Sequence, residues 1–198
     1  MVAKISPTEF YNKLASTYDA TLKDPRTDAQ HLKEAAKIFQ KYHSRVGGSL
    51  LDLGCGTGLL KELLKGEFEY IGIDIAENML HYASERGYKI IHKPIEDALP
   101  EIPDCSYDFV FALGCLLFIE DIDSTLAHIN RIARKSILLS LDNLTQEFIR
   151  NITVTVYNHS QVSISNAKED YTIRGWRSPT TGITIQTRMI YIEKVNLN

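Results

Sequence analysis

Leu50-Leu51-Asp52-Leu53-Gly54-Cys55-Gly56-Thr57-Gly58 is the stretch on which the reading of this chain turns. Residues 49–53 form a short, mainly apolar run, as expected of a strand covered on both faces. The run passes directly into three glycines and then into 59–65, whose pattern predicts a helix. Glycine lets the backbone turn sharply and lets a ligand approach with no Cβ in the way. A strand, a tight loop and a helix are the expected sequence of elements.

The same alternation extends outward from the loop. Upstream, Leu32, Ala35, Ala36 and Phe39 fall at helical spacing, which predicts an amphipathic helix over 28–44 ended by Gly47 and Gly48. Downstream, 70–74 reads as strand, 76–86 as helix closed by Gly87, 88–92 and 107–113 as strands, 124–134 as helix and 136–141 as strand. Alternating strands and helices specify an α/β fold, a doubly wound and mostly parallel sheet with helices on both faces. Beyond about Thr153 the residues become β-branched and aromatic, and Pro179 and Gly182 mark a turn before 183–194. The tail is therefore expected to add an antiparallel C-terminal edge.

Asp74 stands twenty residues after Gly54, at the end of the second strand, where a carboxylate can accept hydrogen bonds from two ribose hydroxyls. Glycine loop and acid together describe a nucleoside site at the carboxyl ends of a parallel sheet. Dinucleotides call for Gly-x-Gly-x-x-Gly, with pyrophosphate at the helix N-terminus. Here Gly58 comes one position early, and Asp52 precedes the loop, where it would repel a pyrophosphate but could hold a ligand ammonium. S-adenosylmethionine (SAM) carries an ammonium and a carboxylate and no phosphate, so it suits these residues better than NAD.

Bulk properties narrow the class further. At 198 residues and 44% hydrophobic content the chain fits one domain with one core. The formal charge is −3, with Lys and Arg scattered, which disfavours a nucleic-acid partner. Cys55, Cys105 and Cys115 are odd in number and lack Cys-x-x-Cys spacing, so they read as reduced thiols rather than metal ligands. The polar start, with Pro7 and Glu9, does not read as a signal peptide, and no apolar run approaches the ~20 residues that span a bilayer. A cytoplasmic protein without membrane or metal, monomer or homodimer, is the expectation.

Three motifs in order carry a family resemblance. Residues 52–58 resemble the first motif of the class I SAM-dependent methyltransferases, 72–80 their second-strand region, and Ser106-Tyr107-Asp108-Phe109-Val110 their fourth-strand motif. Tyr11 and Tyr18-Asp19 resemble the N-terminal Tyr-rich helices that close over the cofactor in small-molecule members. The resemblance implies a Rossmann-like domain with a helical lid over 1–45, a cofactor-binding core over 46–142 and antiparallel strands over 143–198. It implies SAM as cofactor and S-adenosylhomocysteine (SAH) as product. The loop Gly54, Cys55, Gly56 and Gly58 would pass beside the methionine part, Asp52 would lie near its amino group, and Asp74, with Ile75 and Met79 following, would hold the nucleoside. The segment Leu113-Gly114-Cys115, after the fourth strand, would offer backbone groups to the methionine end, Glu96 would receive the adenine amino group and the Ile95 N–H the ring nitrogen.

Methyl transfer from a sulfonium is an in-line displacement, so the site must hold a nucleophile about 3 Å from the methyl carbon and screen it from water. No metal is needed, and a base matters only for a protonated nucleophile. None is visible in Leu116-Leu117-Phe118-Ile119, where some relatives carry a histidine, so the catalytic residue is left open. Candidates for a base are His159, Tyr157, Tyr11, Tyr18, Asp142 and Asn143, and of these Tyr11, Tyr18 and Asp142 are expected by position to line the acceptor pocket. Asp108 reads as a brace, and Trp176 as edge packing or a substrate wall. The expected function is methylation of nitrogen, oxygen or carbon in a small molecule. A non-catalytic SAM-binding subunit or sensor, or a SAM-dependent enzyme of other chemistry, is the alternative.

Overall fold

A computed structural model describes residues 3–27, 30–43, 47–178 and 181–194. Two helices come first, α1 (Pro7–Lys23) and α2 (Gln30–Tyr42). The core follows as β1 (Gly48–Leu53), β2 (Phe68–Asp74), α3 (Glu77–Glu85), β3 (Lys89–His92), α4 (Ile95–Ala98), β4 (Tyr107–Ala112), α5 (Ile122–Ile132) and β5 (Ala133–Asn143). The tail contributes α6 (Gln146–Asn151), β6 (Glu169–Arg177) and β7 (Thr184–Glu193).

The strands form one seven-stranded sheet in the order β3-β2-β1-β4-β5-β7-β6. β1 to β5 pair in parallel, while β7 runs antiparallel to both β5 and β6. The doubly wound sheet with an antiparallel edge read from the sequence is thus present. Strand parity builds two cores. Leu51, Leu53, Val110 and Ala112 face α4 and α5 through Ile95, Ala98, Ile129 and Ile132. Leu50, Phe109 and Phe111 face α2 and α3 through Ala35, Phe39, Leu80 and Ala83.

From β1 the chain moves outward to β2 and β3 and then returns past β1 to β4. That reversal opens a crevice beyond the carboxyl ends of β1 and β4, the place where open α/β sheets take ligands. α1 lies against α3, with Ala15, Ala76 and Met79 buried between them. Ser6 caps α1 by accepting from the Glu9 N–H (3.1 Å), and Pro7 occupies the first turn, where its missing N–H costs nothing.

Two expectations are corrected. Residues 59–65 do not form an α-helix; only a 3-10 turn, Leu59–Glu62, is present. Its N-cap Gly58 supplies no side-chain cap, and Gly66, at φ +123°, turns the chain into β2 before a second helical turn can form. The tail is also not strands alone, because Thr145 caps the short α6 and buries Phe148 fully. The ends of the expected helix at Asp28, Ala29 and Ser44, the turn residue Pro179, and residues 195–198 lie outside the described residues.

Candidate functional site

The loop after β1 is held by backbone bonds to the next strand. The N–H groups of Gly54 and Cys55 both donate to Ile73 O, at 2.8 and 3.1 Å, and Gly58 N–H donates to Cys55 O at 2.9 Å. Gly54 has φ +64°, and a Cβ there would stand 2.3 Å from the Cys115 Cβ. Only glycine fits that position. Gly58, at φ +76°, meets the Tyr88 ring, whose Cε2 would lie 2.8 Å from an added Cβ.

Above this loop is a cavity of about 410 Å³. Gly54 and Gly56 line it from β1, Asp74 and Ile75 from the end of β2, Ile95 and Glu96 from α4, and Leu113 from the end of β4. Tyr11 and Tyr18 close it from α1. The Asp74 carboxylate accepts from Gly56 N–H (2.8 Å) and Ala76 N–H (2.9 Å), which fixes it at the cavity edge with lone pairs to spare. Burial raises the Asp74 pKa, and its backbone donors oppose the rise.

Four of the expected cofactor residues stand behind the wall rather than in it. Asp52, Cys55, Gly58 and Met79 do not line the cavity. Strand parity points Asp52 to the same face as Leu50, where it is 4% exposed and its Oδ2 accepts from the Tyr88 hydroxyl at 3.1 Å. Burial pushes the Asp52 pKa to about 7, against the pull of that hydrogen bond. Met79 is fully buried between α1 and α3. Cys55 is buried beneath the loop. Cys115, expected in the segment that follows the fourth strand, lines the cavity, and its Sγ donates to Leu53 O at 3.1 Å.

α1 is fastened over the loop by a polar network absent from the sequence reading. Asp19 accepts from Thr57 Oγ1 at 2.5 Å and from the Arg86 guanidinium, which also donates to Thr57 O (2.8 Å) and to Glu62 (2.9 Å). Asn78 of α3 donates twice to Asn12 of α1, its backbone N–H to Asn12 Oδ1 (2.9 Å) and its Nδ2 to Asn12 O (3.1 Å).

A second cavity, of about 110 Å³, shares Tyr11, Tyr18, Gly114 and Phe118 with the first. Asp142 reaches it from β5 and is 6% exposed; its carboxylate accepts from Thr187 Oγ1 (2.5 Å) and Trp176 Nε1 (3.3 Å). Trp176 packs against Phe148 on the edge strand β6 and also lines this cavity. His31 of α2 was missed, although it precedes Ala35 by one helical turn on the same apolar face. Its Nδ1 is enclosed with no hydrogen-bond partner among the described residues, and a Cβ on Gly114 would lie 3.4 Å from its Nε2. Burial lowers the His31 pKa, with Asp142 nearby opposing the shift.

The remaining candidates lie elsewhere. Tyr157, His159 and Asn143 line neither cavity, and His159 Nε2 is spent on Ile119 O at 2.7 Å. Asp108 is a brace, accepting from Ser49 N–H (3.2 Å) and pairing with Arg134 and Lys135.

Residues 51–141 match a family model described as a methyltransferase domain. A malonyl-[acyl-carrier protein] O-methyltransferase from Paenibacillus sp. (strain JDR-2) is 25% identical over 137 residues, 64% of this chain and 50% of that protein. The chain thus spans half of that relative's length, and less of the next two curated relatives. Among solved structures, magnesium protoporphyrin IX methyltransferase (ChlM) from Synechocystis PCC 6803 with bound SAH is 15% identical at a TM-score of 0.66. The match covers 95% of this chain and 97% of that one. The [4+2]-cyclase SpnF has the same fold at a TM-score of 0.67 and 12% identity, covering 98% and 97%. The resemblance to class I SAM-dependent methyltransferases is borne out over the central sheet and its loops.

Proposed function

We propose that the chain is a SAM-dependent methyltransferase that binds SAM in the larger cavity and a small acceptor in the smaller one. The observation that carries this reading is the Asp74 carboxylate, fixed at the end of β2 beside a cavity floored by Gly54 and Gly56. The residues fit the group: a carboxylate for the ribose diol, and a glycine floor that a side chain would obstruct. Ile75 and Ile95 would flank the adenine, Glu96 would accept from its amino group, and Leu113 with Gly114 would pass beside the methionine end. When bound, SAM supplies an electrophilic methyl group and needs no metal to do so.

The chain's own residues do three things for such a reaction. Tyr11 and Tyr18 separate the two cavities and exclude water, and burial raises both hydroxyl pKa values, so both stay protonated. The ties from Asp19 and Asn12 hold α1 closed over the site. The cavity walls bring acceptor and cofactor within reach across Gly114 and Phe118. We place the protein in the cytoplasm, which its three free thiols support.

Incubation with SAM and a panel of small amines, alcohols and acids, with SAH release and product mass recorded, tests the reading. A mass gain of one methyl group in an acceptor is expected. Because a cyclase shares the fold, an altered product without methyl gain would favour other SAM-dependent chemistry. SAM binding without turnover would favour a sensor or subunit.

A further inference from the structure

We infer that the acceptor is a compact amine, held in the second cavity by Asp142 and the surrounding aromatic rings, with His31 taking its proton before methyl transfer. The inference rests on the methyl-transfer reading above and adds to it the chemical class of the acceptor and the group that activates it.

Charge carries the first part. Asp142 is buried, and among the described residues no Lys, Arg or His stands within ion-pair distance of it. Its two hydrogen bonds come from neutral donors, Thr187 and Trp176. A buried carboxylate without a cation is costly, and a ligand ammonium would remove that cost. No described Lys or Arg lines either cavity, while Asp74, Glu96, Asp97 and Asp142 do. In the smaller cavity an anionic acceptor would face the Asp142 carboxylate with no described Lys or Arg beside it. Phe10, Tyr11, Tyr18, Phe118 and Trp176 supply ring faces of the kind that attract ammonium groups.

His31 carries the second part. An ammonium has no lone pair and cannot attack a methyl group, so it must first give up a proton. His31 is nine-tenths buried and lines the same cavity, with its Nε2 beside Gly114. Burial keeps the resting imidazole unprotonated but also makes it a weaker base, so proton transfer to the ring depends on the opposing charge of Asp142 beside it. Asp142 from β5 and Tyr11 and Tyr18 from α1 are the titratable groups that share the cavity with it, and Asp142 would stabilise the imidazolium once formed. The proton passes from R–NH3+ to the His31 ring. The freed nitrogen lone pair then forms the N–C bond as the C–S bond breaks, and that bonding pair stays on sulfur as the neutral thioether. His31 returns its proton to solvent.

The test compares compact amines such as benzylamine with the matched alcohol and carboxylate, each added to the full chain with SAM, and to the SAH complex for binding. Amines are expected to bind and gain a methyl group, and the carboxylates are not. Asp142→Asn should weaken amine binding about tenfold or more while SAH affinity stays unchanged. His31→Gln should keep amine and SAH binding but slow transfer about a hundredfold at neutral pH, with recovery as the solution pH deprotonates the amine. Preference for the alcohol or carboxylate, no amine better than buffer while SAH binds normally, or unchanged amine binding in Asp142→Asn would overturn the assignment. A His31→Gln variant that binds SAH and transfers at the wild-type rate would remove His31 from it. Failure of SAH to bind at all would instead refute the methyl-transfer reading.

Discussion

Asp52→Asn isolates the consequence of placing an acid behind the glycine loop. In the fold Asp52 is 4% exposed, and its carboxyl pKa rises from an ordinary 3.8 to about 7, mainly through burial. A group whose pKa is higher folded than unfolded binds its proton more tightly in the native state. Its stabilising contribution is therefore complete below the unfolded value and is lost as pH rises through the folded one. Between about pH 5 and about pH 8 that loss amounts to about 3 kcal/mol, from a pKa gap of about three units at 1.36 kcal/mol each, most of which falls inside this window. Asparagine keeps an oxygen for the Tyr88 hydroxyl but cannot titrate. Urea unfolding of ligand-free wild type and variant at both pH values measures the difference. The variant should lose about 3 kcal/mol less than wild type across the window, whatever its absolute stability. Parallel pH dependences in the two proteins would show that Asp52 is not a buried acid in the native state.

Two further predictions concern the loop and its cover. Gly54→Ala should destabilise the fold by about 2–5 kcal/mol, combining the left-handed backbone at φ +64° with the clash against Cys115; a shift in urea midpoint without a change in slope would record it. Asp19→Asn removes the charge that joins α1 to Arg86 and Thr57, so cleavage within residues 7–23 under limited proteolysis should accelerate while the sheet stays resistant. Unchanged cleavage would mean that α1 is held by packing on α3 alone.

Much of the central architecture is legible in the sequence because it is local. Apolar strands ended by glycines, and Asp74 at the end of a strand, announce themselves by spacing, and each lies where spacing places it. The failures have a common origin in contacts made at a distance. Residues 59–65 carry helical periodicity, yet the left-handed Gly58 and the close return through Gly66 leave room only for a 3-10 turn. Asp52 was read as facing a ligand because it borders the glycines, whereas the two-residue period of the strand turns it toward Tyr88, a partner 36 residues away. His31 looks like one polar position among several on an amphipathic helix, and only the packing of α2 against the end of the sheet brings it beside Asp142 and Gly114. The grip of Asp19 on Arg86, across 67 residues, has no local signature either.

The central claim is that the cavity beside Asp74 binds SAM, and calorimetric titration of the purified chain with SAM, SAH and NAD, alongside Asp74→Ala, tests it most directly. SAM and SAH should bind, NAD should not, and the variant, shown to be folded by its unfolding transition, should lose at least about tenfold in affinity, the equivalent of one charge-assisted hydrogen bond. Binding of NAD in place of SAM, or equal SAM affinity in the folded Asp74→Ala variant, would contradict the account.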